Sequence, residues 1–294
     1  MRTRSLLCVI LIISLFPAYG RQKDSLVFAT ASWTTTTYHA GGIRLKQCVF
    51  TDKELFHSNQ FVSVLEIHPS FSFDIVADSV LVLTSEFVDY AHALAGINGS
   101  FFTWDAPWMS YNYLRIQGKE LAPNKTNKDG LRSFRQSACV GVDEKGKLFI
   151  VPVPSVSMDR KDRDTWEKQE KARDLMSSGP LLRYKGEDAD ILDQAFNTRR
   201  HPRSAIGVGK NGQVFMVVVD GRHDQAEGVS IKELQDIMRW LQAEDALNLD
   251  GGGSSTLCVR KKQAHAVDVV NHPSDNKTFD NKGERRVANA IIVK

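Results

Sequence analysis

Residues Ile206–Arg222 read IGVGKNGQVFMVVVDGR. The Asn211-Gly212 pair between apolar runs is the strongest hairpin signal in the chain, because an Asn-Gly turn supplies the positive φ angles that match the twist of two flanking strands. Beyond the turn, Val214–Val219 is apolar at every position, so it must form a strand buried on both faces. Asp220-Gly221-Arg222 emerges from its end. The stretch VGVDEKGKLFIV, 140–151, aligns with Ile206–Val217 without a gap, sharing Gly141/Gly207, Val142/Val208, Gly146/Gly212 and Phe149/Phe215. Duplication and shared turn chemistry account for this echo equally well.

Outward from the hairpins, Phe61–Ile67 alternates like a half-buried strand, and Phe71–Val76 follows as an adjacent strand after His68-Pro69-Ser70. Thr84–His92 has a helical pattern and leads into ALAGINGSFF, 93–102, a short apolar strand that ends at Asn98-Gly99-Ser100. Residues 104–131 read as a loop-rich excursion around a short hairpin near Ile116–Lys119, and the charge-rich segment Met158–Pro180 as a surface helix. Ser230 and Glu233 make a capping box, and Ile231, Leu234, Ile237, Met238 and Leu241 line one face of a helix running to about Ala243. Leu247–Leu249 and Arg286–Val293 close the chain as strands. Strands joined by hairpins, with helices set apart, imply an α+β fold: a single domain with a mixed, largely antiparallel sheet flanked by helices.

Of the 294 residues, 1–20 read as an export signal peptide: Arg2 and Arg4, the apolar run Leu6–Phe16, then small Ala18 and Gly20. That run is too short to span a bilayer, so the domain at 21–294 is expected to be exported, periplasmic or secreted, without membrane insertion. Cys48, Cys139 and Cys258 contain no C-x-x-C pair, which argues against a zinc-thiolate site and allows at most one disulfide or, equally, buried thiols. A formal charge of +3 gives no case for nucleic acid.

The candidate chemistry sits where strands end. ALNLDGGGSSTLCV, 246–259, places Asp250 at a strand exit as VVVDGR places Asp220, and three successive glycines suggest close approach to the main chain. Upstream of the second hairpin, Arg199, Arg200, His201 and Arg203 form a local basic cluster. Arginine forks suit phosphate or carboxylate, and Arg203, next to the apolar strands, is the one best placed for a fixed role. The glycines lack the lysine and spacing of a P-loop, and there is no G-x-G-x-x-G, H-E-x-x-H or G-x-S-x-G motif.

The ordered set AGINGSFF, SSGPLL, HPRSAIGV, VVVDGR, NLDGGGSS and RRVANAIIV resembles the phosphodiester glycosidase family, over about Val62 to Val293. The resemblance implies a sheet flanked by helices and hydrolysis of a sugar-1-phosphodiester, such as an N-acetylglucosamine-1-phospho glycan, at the anomeric carbon. Asp250 is then the first candidate for the catalytic carboxylate and Asp220 the second. Arg203 and Arg222 would clamp the phosphate, while Gly251, Gly252, Gly253 and Ser254 would bring amides and a hydroxyl to the substrate. Asn98 would orient a sugar group, with Gly99 clearing space. No cofactor is implied, although a divalent metal remains open: Asp220, Asp250 and Asn98 could instead serve as oxygen ligands in a phosphodiesterase that cleaves P–O. An exported glycan-binding module without turnover is the other alternative.

Overall fold

The computed structural model describes residues 16–104, 110–158, 165–261 and 266–294. Its strands begin with β1 (Thr34–Tyr38), β2 (Ile43–Leu55), β3 (Ser58–Ile67), β4 (Phe73–Val82), β5 (Ala95–Asn98), β6 (Leu114–Ile116) and β7 (Lys119–Ala122). Next come β8 (Ala138–Val142), β9 (Leu148–Pro152), β10 (Asp174–Ser178), β11 (Leu181–Tyr184) and β12 (Glu187–Asp188). The chain closes with β13 (Arg203–Gly209), β14 (Val214–Val219), β15 (Ala243–Asn248), β16 (Leu257–Arg260), β17 (Val267–Val269) and β18 (Val287–Val293). The helices are α1 (Phe16–Thr30), α2 (Thr84–Tyr90), α3 (Ser155–Met158), α4 (Thr165–Gln169), α5 (Ala195–Thr198) and α6 (Ile231–Trp240).

The α+β expectation holds, with the strands divided among three sheets. An eight-stranded sheet has the order β1-β2-β3-β14-β13-β15-β11-β12, and two five-stranded sheets run β7-β6-β10-β8-β9 and β17-β16-β5-β18-β4. Every pairing among the described residues is antiparallel.

The period-two alternation of β14 explains the layering. Val214, Met216 and Val218 enter a core shared with the two smaller sheets, whereas Phe215, Val217 and Val219 enter a second core under α6. The run is therefore apolar on both faces because both faces are covered. Ser230 accepts from the Glu233 amide at 3.2 Å while Glu233 returns to the Ser230 amide at 2.8 Å, so the capping box forms as read. Ile231, Leu234, Ile237 and Met238 then pack onto the sheet. A side chain at Gly207 would strike the Met238 methyl at 2.5 Å, so this glycine lets α6 lie close.

Both hairpins form, β8–β9 and β13–β14, in separate sheets. Gly141 lies across from Phe149 and Gly207 across from Phe215, and Gly146 and Gly212 both take φ 78°. The echo thus follows one turn and register pattern.

Several local readings are corrected. Phe61–Ile67 lies within β3, whereas the strand expected at Phe71–Val76 begins at Phe73 and runs to Val82, and β3 and β4 pair in different sheets. In the expected surface helix 158–180, only Thr165–Gln169 is a described helix within the charged run, and residues 159–164 lie outside the described residues. Asp174–Ser178 is instead the buried strand β10, because both its faces meet protein. Helix α6 stops at Trp240 and β15 begins at Ala243, the reversal being made at Gln242 with φ 61°. The expected leader lies mostly outside the described residues, at 1–15. Cys48, Cys139 and Cys258 are free buried thiols. No helix among the described residues is long and apolar enough to cross a membrane.

The excursion at 110–135 is anchored by a buried ion pair. Arg132 and Glu167 have fully buried side chains, with Nη2 to Oε2 at 2.6 Å, and Asn124 donates to Glu167 Oε1 at 2.7 Å. Removing one member leaves an uncompensated charge in the interior, so Glu167→Ala should cost about 3–5 kcal/mol in urea unfolding. A loss below about 1 kcal/mol would show that the pair is not the anchor.

Candidate active site

Sheet register brings the candidate residues to one edge. Strand β13 is antiparallel to both β14 and β15, so those two strands run in the same direction and leave the sheet on the same side. Arg203 pairs with Val219, directly before Asp220, and Ala205 pairs with Asn248, two residues before Asp250. Two strand spacings separate the exits of β14 and β15 by about 10 Å. The end of β5 enters from a neighbouring sheet: the Asp250 amide donates to Gly99 O at 3.0 Å, and Asn98 Nδ2 to Asp250 O at 2.7 Å.

Gly252 and Gly253 make room for arginines, and Gly251 for the Pro202 carbonyl. A Cβ on Gly251 would lie 2.7 Å from Pro202 O and 3.7 Å from the Arg203 side chain. On Gly252, whose φ is 64°, it would lie 2.8 Å from Arg222 Nη2; on Gly253 it would lie 2.5 Å from Arg285 Nη2. The amides of the first two are already committed, Gly251 to Asp250 Oδ1 at 2.9 Å and Gly252 to Pro202 O at 2.8 Å, which corrects the expectation that they reach a substrate. Gly99 is likewise buried, and the space above it is filled by the Asn289 amide.

Burial pushes the Asp250 carboxyl above its ordinary pKa range, opposed by Ser254, the Gly251 amide and the charges of Arg285 and Arg135. The Ser254 hydroxyl acts on this carboxylate from nearby, and the buried hydroxyls of Ser254, Ser255 and Thr256 have no other partner among the described residues. Buried polar atoms without partners are uncommon, and here three occur in succession directly after the glycines.

Four arginines surround this loop. Arg203 is 1% exposed and largely committed: Nε donates to Val229 O at 3.1 Å, and Nη2 to Phe196 O at 2.5 Å and Arg199 O at 3.0 Å. Burial, with Arg135 nearby, lowers its pKa to about 10. It is thus chiefly a brace, with Nη1 alone uncommitted among the described residues. Arg222 is exposed, in the left-handed region at φ 66°, and has no carboxylate partner among the described residues. Arg285 pairs with Asp275 and lies 5.3 Å from the centre of the Trp104 ring. Arg135 stands against the rings of Phe101, Phe134 and Phe196. Arg135 and Arg285 escaped sequence reasoning, although Arg285 stood inside the quoted RRVANAIIV.

The second aspartate has a different fate. Asp220 is 1% exposed, and its carboxylate accepts from Asn271 Nδ2 at 2.8 Å and from His272 through both the amide and Nδ1 at 2.9 Å. His272 is itself stacked on Phe279 at 4.0 Å, with Phe61 edge-on at 4.6 Å. Asp220 therefore fixes an imidazole whose side chain is 19% exposed, an arrangement suited to proton transfer at Nε2. Sequence reasoning missed His272 too. The Asn98 side chain is fully buried, with Oδ1 accepting from Ser204 Oγ at 2.7 Å and the Thr256 amide at 3.2 Å, so it holds strand ends together and does not face a sugar. Asn98 Oδ1 and Asp220 Oδ2 each accept two of these bonds and Asp220 Oδ1 one, and no group of three or more His, Cys, Asp or Glu side chains suited to a metal occurs among the described residues.

Comparison with known proteins agrees with this frame. The phosphodiester glycosidase family model matches residues 91–294. The N-acetylglucosamine-1-phosphodiester alpha-N-acetylglucosaminidase of Bos taurus is 32% identical over 93 residues, 31% of this chain and 16% of that protein. The match therefore spans less than a fifth of that curated relative. The zebrafish N-acetylglucosamine-1-phosphodiester alpha-N-acetylglucosaminidase catalytic domain, auto-inhibited by its pro-peptide, superposes with TM-score 0.63 at 18% identity, covering 94% of this chain and 92% of that one. A hypothetical protein from Synechocystis gives TM-score 0.61 at 16% identity, covering 89% and 63%. At these identities the two structures speak to the fold alone.

The Asn98 network can be tested by stability. Asn98→Ala removes partners from Ser204, Thr256 and the Asp250 carbonyl, each inside the protein, and should cost about 2–4 kcal/mol in chemical unfolding. An unchanged unfolding midpoint would refute the bracing role.

Proposed function

The chain belongs to the phosphodiester glycosidase family, and from that membership we propose that it is an exported hydrolase that cleaves a sugar-1-phosphodiester at the anomeric C–O bond. The observation that carries this reading is one carboxylate, Asp250, placed among arginines of which Arg135 and Arg222 have no carboxylate partner among the described residues. The N-acetylglucosamine component is suggested by the cattle relative, and export by the leader-like residues 1–20.

When the C–O bond breaks, its electron pair leaves on a phosphate oxygen and positive charge develops at the anomeric carbon. Arginines beside the phosphate stabilise the leaving group without a proton, and the Asp250 carboxylate stabilises the sugar cation. Water supplies the new anomeric oxygen. Asp220 acts through His272, which it orients for proton transfer. This changes the role of Asp220 from a second reacting carboxylate to a positioning residue.

Hydrolysis of N-acetylglucosamine-1-phosphodiesters in oxygen-labelled water should place label on the anomeric oxygen, and Asp250→Asn should abolish the reaction. Label on the phosphate would move the chemistry to P–O cleavage and overturn the reading.

Asp250 also sets a pH dependence. Its carboxyl must be ionised to act, so the acidic limb of kcat/KM should lie above the ordinary aspartate value of about 3.9. The stability sign follows from the same shift. A raised folded-state pKa means that the folded protein keeps a proton the unfolded chain has lost, so stability falls as pH rises from the unfolded value through the folded one. Asp250→Asn should therefore raise the neutral-pH melting temperature while removing activity, and the gain should fade below the carboxylate range. A lower melting temperature at neutral pH would contradict the burial argument.

A further inference from the structure

Arg135 is built as an anion contact. Its guanidinium carbon lies 5.1 Å from the ring centre of Phe101, 5.6 Å from Phe134 and 4.6 Å from Phe196. The guanidinium makes no hydrogen bond or ion pair among the described residues, and Nε is buried without a partner. An arginine stacked on rings keeps its in-plane N–H edge for an oxyanion, and the rings exclude competing water.

Its backbone is fixed as firmly. The Arg135 amide donates to Ser133 Oγ at 3.1 Å, and its carbonyl accepts from Asn112 Nδ2 at 2.8 Å. Arg203 lies against the same Phe196 ring, also at 4.6 Å. Two guanidinium groups thus share one ring, and the carboxylate whose field reaches both is Asp250. Like charges so placed repel unless a counter-anion joins them. With Arg285 paired to Asp275 and Glu233 to Arg200, Arg135, Arg203 and Arg222 set against Asp250 leave two positive charges uncompensated among the described residues, the charge of a phosphomonoester dianion and one more than a diester requires.

We propose that Arg135 and Arg203, mounted on Phe196, form a phosphate seat that binds a phosphomonoester dianion more tightly than a phosphodiester monoanion. The site then holds its phosphate product, and phosphomonoesters compete with substrate. The seat rests on the proposed function only in taking the ligand to be a phosphate, so sugar-free probes separate the two ideas.

The experiment is calorimetric titration of the whole protein with orthophosphate, methyl phosphate and dimethyl phosphate at slightly alkaline pH and low salt. Orthophosphate and methyl phosphate should bind at least about tenfold more tightly than dimethyl phosphate, and added salt should weaken them. Arg135→Gln and Arg135→Lys should each weaken methyl phosphate by about tenfold or more, because lysine offers neither the fork nor the stacking plane. Arg44→Gln, which alters the distant pair with Glu66, should change nothing. Asp250→Asn should tighten binding by removing the nearby negative charge, and this variant decides the matter should the Arg135 variants fail to fold. No binding of phosphate by the wild type, equal affinity for monoester and diester, or unchanged affinity in Arg135→Gln would overturn the seat. Binding as described without turnover of any sugar phosphodiester would leave the seat standing and remove the glycosidase reading. Turnover with anomeric labelling but no phosphate binding would do the reverse.

Discussion

The site depends on one constraint of strand pairing: β13 lies between β14 and β15 and is antiparallel to both. That order makes two chain segments, distant in sequence, leave the sheet at the same edge. A one-residue slip of β14 against β13 would turn alternate side chains of β14 toward the wrong core, so burial on both faces locks that register. The functional residues inherit their positions from this lock. Asp220 and Asp250 follow β14 and β15 by one and two residues, and Arg203 opens the strand between them. Little freedom remains for the loops to misplace them.

The glycine loop solves a packing problem more than a binding one. Arginine side chains need space and a surface to lie on, and a carboxylate next to them needs cover from water. Without Cβ atoms, Gly252 and Gly253 let Arg222 and Arg285 approach the turn that follows Asp250, and Gly251 lets the Pro202 carbonyl approach it. The committed Gly251 and Gly252 amides then stiffen the turn, so glycine here produces close packing with little slack.

Fold and site were legible to different depths. Hairpins, the capped helix and the terminal strand were readable because their signals are local: Asn211-Gly212, Ser230 with Glu233, and the apolar run before Lys294. The division into three sheets was not, since it depends on which strands pair across long separations, as when β3 joins β14 and β4 joins β18. Strand β10 was hidden by the charged run before it. At the site, Asp250 and the glycines stood out, but Arg135 and His272 did not. Each acquires meaning only from partners far along the chain, Phe196 for one and Asp220 for the other, and no spacing rule joins such pairs.

The two aspartates show how environment separates residues that sequence makes alike. VVVDG and LNLDG place each acid just after a strand and before glycine. Asp220 meets three donors, two of them from His272, and its negative charge is used up in orienting that imidazole. Asp250 receives one backbone donor in that loop, Gly251, and otherwise lies within reach of the Ser254 hydroxyl and the charges of Arg285 and Arg135. Full satisfaction makes a group structural, whereas incomplete satisfaction leaves it available to a ligand. By that criterion Asp250 is the better candidate for the reacting centre we propose, because the cost of burying its charge would be offset by an anion-bearing substrate at the arginines and a developing cation at the carboxylate.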